Sequence, residues 1–370
     1  MDIWKSAAAV LLLVLGGCGT PSAQKRARAT DWESPEFAAS QRPAPAPTQP
    51  APPIVPVVAP VRVQKHETSW LPLDRWCEDT QHTTPIRLTG TPPSYSLNAS
   101  NGSLVLRSGT RSAFWSGSEV RLGFAPQFID GHLLVHGLDL EKTIDPLMNQ
   151  WTPPPKTSRP VIVLDPGHGG SDPGARAAGT HWFEKELTLD WALRLSAMLA
   201  ANGWQVFLTR TNDSSLALSN RVAFADAHRA DLFISLHFNS STQGREQGLE
   251  TYCLTPAGMQ SSITRGEDDL LASFPNNAFD AENLALAYRV HSALLHATAS
   301  NDRGVRRARF PGVLRNQSRP AILIEGGYIS NPEEAARIAS PAHRQKLAEA
   351  VMRAICVDVP TIAAGDKDAN

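Results

Sequence analysis

Cysteine is scarce in this chain of 370 residues: there are four, with no Cys-x-x-Cys spacing, which excludes a disulfide scaffold and a zinc-ribbon module. No run of about eighteen apolar residues occurs, so a multispan membrane protein is excluded. Charge of one sign is also missing. Thirty-five Lys and Arg stand against thirty-six Asp and Glu, a net charge of -1, which argues against a nucleic-acid binder that draws its affinity from phosphate. His-Glu-x-x-His, the usual helical zinc-hydrolase pattern, is absent. Apolar residues make up 42% of the chain and charged residues 19%, enough for a sizeable core. The length, about twice one ordinary domain, predicts two modules or one module with long linkers.

The 29 prolines are concentrated and mark the organisation. Residues 1–18 read as a lipoprotein signal peptide. Lys5 precedes an apolar run from Ala7 to Leu15 that is too short to span a bilayer, and Leu15-Gly-Gly-Cys18 resembles a bacterial lipobox with Cys18 acylated. Gly19, with no Asp there, points to the outer membrane if the host is Gram-negative. Residues 19–66 form a Pro/Ala-rich disordered tether. Its stretch PAPAPTQPAPPIVPVVAP (43–60) favours extended polyproline II at about 3.1 Å per residue, holding the C-terminal modules away from the anchor.

Residues 67–150 predict a small β-rich, stalk-like module. Short strands around 103–107, 119–124 and 132–135 are separated by turn pairs such as Asn101-Gly102 and Asp130-Gly131, with Trp70, Trp76 and Trp115 as core. Pro153-Pro154-Pro155 closes it.

From 159 to 358 the pattern is strand, loop, helix, repeated. Val161–Leu164, Val206–Leu208, Leu232–Leu236 and Ala321–Ile324 are strands, and helices fall at 187–199, 216–230, 282–299 and 341–355, with Gly203 stopping the first. The predicted fold is α/β: an open, mainly parallel twisted sheet with helices on both faces, preceded by the β-rich module and the tether. Residues 359–370 read as a disordered tail.

Open α/β sheets gather ligands beyond the carboxyl ends of their strands. There the chain places Asp165-Pro-Gly-His168-Gly-Gly, His237-Phe-Asn239 and Glu325-Gly-Gly, so two histidines and a carboxylate converge from three strands. Two His and one carboxylate make a catalytic zinc set with a position left for water. A further ligand besides a general base comes from Glu184 or Glu186, which point to different sides of a helix start. The blander reading of each His is a satisfied structural residue at a strand end.

In order, Asp165-Pro-Gly-His168-Gly-Gly-Ser-Asp172-Pro-Gly-Ala175, Glu184-Lys-Glu, Arg221, Ala230-Asp-Leu-Phe-Ile-Ser-Leu-His237-Phe-Asn239, Gly248-Leu-Glu-Thr-Tyr252, Arg303-Gly-Val and Leu323-Ile-Glu325-Gly-Gly-Tyr-Ile-Ser-Asn331 resemble the zinc-dependent N-acetylmuramoyl-L-alanine amidases of the type-3 amidase domain. The resemblance runs from about Val161 to Ile355. It implies Zn²⁺ held by His168, Glu184 and His237, with Glu325 as catalytic carboxylate, and it selects Glu184 over Glu186. Asn239 and Arg303 are weaker expectations for substrate contact, as are Asp165 and Asp172, which serve equally as turn caps or ion pairs. Glu186, Phe238 and Tyr328 depart from the commoner Asp, Ala and Phe, and none is a ligand.

The implied activity is cleavage of the amide between N-acetylmuramic acid and the L-alanine of the stem peptide, in peptidoglycan, at the cell envelope facing the periplasm. Two readings compete: a catalytically inactive wall-binding lipoprotein, and a zinc peptidase or carboxypeptidase acting on stem peptides. No nucleic-acid partner is expected, and no residue points to an activator protein. The polar stretch Leu254–Asp280 lacks a sustained helical period and reads as a loop at the cleft, not a plugging helix. Cys77, Cys253 and Cys356 allow at most one pair and read as structural.

Overall fold

The computed structural model describes residues 70–149, 159–264, 266 and 268–356. The expected signal segment with Cys18, the tether, the 153–155 break and the tail lie outside them. No helix among the described residues is long and apolar enough to cross a membrane.

The strands are β1 (Trp70–Pro72), β2 (Ile86–Leu88), β3 (Ser94–Ala99), β4 (Gly102–Arg107), β5 (Ser112–Trp115), β6 (Ser118–Arg121), β7 (Gln127–Ile129), β8 (His132–His136), β9 (Val161–Pro166), β10 (Gln205–Leu208), β11 (Leu232–Asn239), β12 (Leu249–Leu254), β13 (Asp302–Ala308) and β14 (Ala321–Tyr328). The longer helices are α1 (Leu73–Asp79), α2 (Glu184–Ala201), α3 (Leu218–Ala227), α4 (Asp280–Thr298), α5 (Pro332–Ala339) and α6 (Pro341–Cys356). Asp130 and Gly131 both take positive φ between β7 and β8, the two-residue hairpin turn their sequence favours.

β1, β8 and β7 form a small antiparallel sheet. The other eleven strands form one sheet in the order β10-β9-β11-β14-β12-β13-β6-β5-β4-β3-β2. From β10 to β14 the pairings are parallel, as the uniformly apolar runs predict. β12 reverses: it runs antiparallel to β14 and parallel to β13. β13 then pairs with β6 through Val305 and Val120, so the β-rich residues extend the α/β sheet as an antiparallel meander. The join is reinforced by Tyr288 Oη donating to the Trp115 carbonyl at 2.9 Å and by the Arg307 guanidinium on Thr143 Oγ1 at 2.6 Å.

Helices α2, α4, α5 and α6 pack on one face of this sheet, closing a core that runs from Leu97, Leu104, Leu106 and Trp115 through Ile234, Ile324 and Trp191. Each fully buried side chain of that size stabilises by about 1.5–3 kcal/mol over exposure. The opposite face carries a smaller cluster, Val163, Phe233, Tyr252, Val313 and Leu323, covered by α3 and the 309–320 segment. Trp115 is core, as its sequence context predicts; Trp70 and Trp76 are half-buried. Cys77 and Cys253 are buried thiols, and Cys356 is half-buried.

One expectation is corrected. The described residues between Leu254 and Pro275 do form turns and bends, but they do not lie at the cleft. Because β12 is reversed, its carboxyl end emerges where the parallel strands begin. There Arg309 binds the Pro256 and Met259 carbonyls, and Asn276 donates to the Arg319 carbonyl just before β14.

Candidate functional site

Three segments bring the expected ligands together at the carboxyl edge of the parallel strands. His168 follows β9 in a left-handed conformation, φ +61, uncommon for a residue with a Cβ. Two buried guanidiniums brace that turn from beneath. Arg221 donates to the Pro166 and His168 carbonyls at 2.8 and 2.7 Å, and Arg210 to the Pro166 and Gly167 carbonyls at 3.0 and 2.7 Å. Asp165, fully buried, pairs with Arg221 at 2.6 Å and accepts from Thr209 and Ser235. Burial, with Arg221 nearby, lowers Arg210 to about 10.

Glu184 is the first residue of α2. Its carboxylate turns inward and is 4% exposed, whereas exposed Glu186 bends back and accepts from the Phe183 N–H at 2.8 Å, capping the helix. Helix capping thus separates the two glutamates.

Glu184 Oε1 lies 3.1 Å from His168 Nε2 and 3.0 Å from His237 Nδ1, and it accepts from the Phe238 N–H at 3.0 Å. Burial opposes charge on Glu184, but hydrogen bonds from both histidines outweigh it and hold the carboxyl far below the ordinary range. Burial likewise opposes protonation of His168, yet Glu184 and Asp172 raise its pKa. Asp172 stands 2.9 Å from His168 Nδ1, which orients the ring so that Nε2 faces Glu184.

One donor atom from each of the three ligands lies within 4.8 Å of the others. A tetrahedral ion with bonds of about 2.0–2.1 Å needs donors roughly 3.3 Å apart, so two imidazoles and one carboxylate at this spacing fit a catalytic metal. Glycines make room for them. A Cβ on Gly167 would meet the His237 ring at 2.2 Å, and one on Gly174, at φ +64, would meet both Glu184 and His168 at 2.7 Å.

Glu325 is the register partner of His237 on β14, so both side chains leave the same face on adjacent strands. It is half-buried. A carboxylate beside the ligands and outside their cluster has the placement a general base requires.

A family model described as N-acetylmuramoyl-L-alanine amidase matches residues 162–357. The chain belongs to that family. The N-acetylmuramoyl-L-alanine amidase AmiC of Neisseria meningitidis serogroup B is 33% identical over 214 residues, 52% of this chain and 51% of that one. The amidase CwlM of Bacillus licheniformis is 35% identical over 190 residues, 50% of this chain and 64% of its own. The solved catalytic domain of the amidase CwlV from Bacillus (Paenibacillus) polymyxa var. colistinus has 31% identity, covers 53% of this chain and 96% of its own, and superposes with a TM-score of 0.44. The chain spans about half the length of the curated relatives it matches.

Beside the candidate ligand cluster stands a carboxylate the pattern of strand ends does not reveal. Glu250 on β12 is the register partner of Glu325 and is 3% exposed. Its Oε2 accepts from Asn239 Nδ2 and Tyr252 Oη, both at 2.8 Å, and Tyr328 Oη lies 3.5 Å away; its Oε1 takes Arg303 Nε at 3.1 Å. The Arg303 guanidinium also lies over the Tyr328 ring, 4.9 Å from its centre. Asn239 and Arg303, expected separately, thus meet on one buried carboxylate. Burial and Glu250 together push the Tyr328 hydroxyl up to about 12, so it stays protonated. Glu334 holds the neighbouring backbone, accepting from the N–H groups of Gly248 at 3.0 Å and Tyr328 at 2.6 Å. Its signal is the Asn331 cap of α5, which puts Glu334 in the first turn.

Proposed function

We propose that this chain is a zinc-dependent N-acetylmuramoyl-L-alanine amidase that cleaves the bond between N-acetylmuramic acid and L-alanine in peptidoglycan. The observation that carries the reading is the convergence of His168, Glu184 and His237 with Glu325 one strand away, in a chain of this family. His168, Glu184 and His237 would hold the zinc ion, which would supply a Lewis acid for the scissile carbonyl and lower the pKa of an attacking water.

The protein's part is acid–base and positional. Glu325 accepts the proton of that water and returns it to the departing amine nitrogen, the base-then-acid cycle of amide hydrolysis. Asp172 fixes the His168 ring, and Arg210 and Arg221 hold its backbone. Asn239 and Arg303, locked on Glu250, offer N–H donors at the rim of the cleft for substrate carbonyls or carboxylates.

The test is elemental analysis together with product analysis on purified sacculi. About one zinc per chain, with release of intact stem peptides and glycan bearing free lactyl carboxylates, is expected. Shortened stem peptides would favour the peptidase reading, and neither product would favour an inactive wall-binding protein.

The same reading divides the chain into 1–18 as signal peptide and lipobox, 19–66 as tether, 67–150 as the β-rich module and 159–358 as catalytic domain. Cys18 then carries lipid and anchors the enzyme at the envelope, facing the periplasm. Diacyl modification provides the two chains stable anchoring needs. Cys18→Ser abolishes lipid labelling and frees the protein from membranes; a variant that still fractionates with membrane contradicts the anchor.

A further inference from the structure

One face of the eleven-stranded sheet carries a continuous row of side chains from the candidate metal ligands to its far edge, buried or half-buried as far as Glu119 and exposed at Phe114 and Ile86. Side chains paired in register leave the same side of a sheet, so the face can be followed strand by strand. His237, Glu325 and Glu250 form one row across β11, β14 and β12. Val305 pairs with Val120 on the helix-covered side, which places Arg306, Glu119 and Arg121 on the open side with Glu250. The ladder continues from Glu119 to Phe114, from Phe114 to Val105, from Val105 to Ser96 and from Ser96 to Ile86.

The side chains are linked as well as aligned. Arg306 lies 3.8 Å from Glu250 and 3.9 Å from Glu119; Glu119 contacts Arg121 at 3.0 Å and accepts from Ser112 Oγ at 2.8 Å. Beyond this chain of charges Phe114 is 42% exposed and Ile86 54%. A cavity of about 390 Å³ opens beside Phe114, which lines it with Pro92, Val105, Arg107 and Ser112.

We propose that the open face of β2–β6 is a docking surface for a glycan strand of peptidoglycan, continuing the catalytic cleft away from Glu325. The proposal rests on the amidase reading and adds to it where the polymer lies. From β11 to β4 there are six strand spacings, roughly 29 Å at about 4.8 Å each. Several linked sugar rings fill that span and one does not. The chemistry matches a polyol with pendant carboxylates: Arg and Ser donate, Glu accepts, and the Phe114 ring offers a flat apolar face for sugar C–H groups. An apolar protein partner would instead bury Arg306, Glu119 and Arg121 away from water, at a desolvation cost their contacts repay poorly. A free-standing spacer also has no need to share the catalytic sheet, and this module is built into it.

The test uses the full chain with Phe114→Ala/Arg121→Ala, and separately Ile86→Ser, with Phe114 and Ile86 exposed and Arg121 half-buried, each checked by thermal melting. Cosedimentation with purified sacculi should weaken about tenfold for the double variant. The ratio of turnover on sacculi to turnover on a soluble muramoyl peptide should fall by a similar factor. Unchanged sacculus binding, or a loss shared equally by both substrates, overturns the proposal. If the parent chain releases nothing from either substrate, the amidase reading fails, and the sedimentation arm still decides the surface.

Discussion

The two faces of the long sheet teach different lessons. One is sealed along its length, by α2, α4, α5 and α6 over the α/β strands and by Leu133, Leu140, Ile144 and Leu147 over the meander, and its core residues, from Leu97 to Ile324, are fully buried. The other is covered only over its lower half by α3 and the 309–320 segment, and its upper half carries His237, Glu325 and Glu250. The sealed face sets stability, since every lost methylene there leaves a hole the packing cannot refill. The half-open face can hold charged groups because water and counter-charges still reach them. Chemistry concentrates where packing stops.

The largest effect expected of a break in this comparison is on the open face. Glu325→Ala should lose about 10²–10⁴-fold in turnover, or about 3–5 kcal/mol of barrier, while keeping zinc and its melting temperature. Retained zinc with near-normal release would sink the mechanism; lost zinc would make Glu325 a ligand and reopen the role of Glu184. Next come the ligands: His168→Ala and His237→Ala should each lose zinc, because two protein ligands hold a catalytic ion poorly. Stoichiometric zinc in either variant removes that residue from the set.

The sealed face gives the reciprocal result. Trp191, with no exposure at the centre of α2's packing, should cost about 3–5 kcal/mol of stability as Trp191→Ala by denaturant unfolding. Turnover per folded molecule should move little. Phe114→Ala on the open side should stay within about 0.5 kcal/mol of the parent. Equal losses at the two positions would mean that the open face is packed against something. Between these extremes, Gly167→Ala drives a methyl into the His237 ring and should weaken zinc retention more than it lowers the melting temperature. The opposite order would show the glycine serving the fold and not the ligand.

Much of this was legible along the chain. Val161–Leu164, Leu232–Leu236 and Ala321–Ile324 announce strands buried on both faces. Candidate site residues follow closely after each run because carboxyl ends of parallel strands share an edge. Gly203, at φ +90, ends α2 where the apolar period stops. Glu184 and Glu186 were separable by sequence only to the extent that one of them had to face inward; the resemblance to known amidases chose between them, and the capping bond of Glu186 supplies the physical reason.

What local pattern left open was direction and company. Leu249–Leu254 reads as an ordinary apolar strand, and nothing in it says that it runs antiparallel to β14. That reversal sets Glu250 opposite Glu325, gathers Asn239 and Arg303 on one carboxylate, and carries the described residues of 255–274 to the far edge. The fusion of the β-rich residues with the α/β sheet through Val120 and Val305 is equally invisible in sequence. Burial and period are properties of neighbouring residues and are written in their order. The direction and partner of a strand are decided by pairings between segments dozens to hundreds of residues apart, so the sequence alone determined the elements and pointed to a candidate ligand set. Only the tertiary structure decided that Glu250 belongs beside them and that one row of side chains runs from the candidate ligands to the far edge of the long sheet.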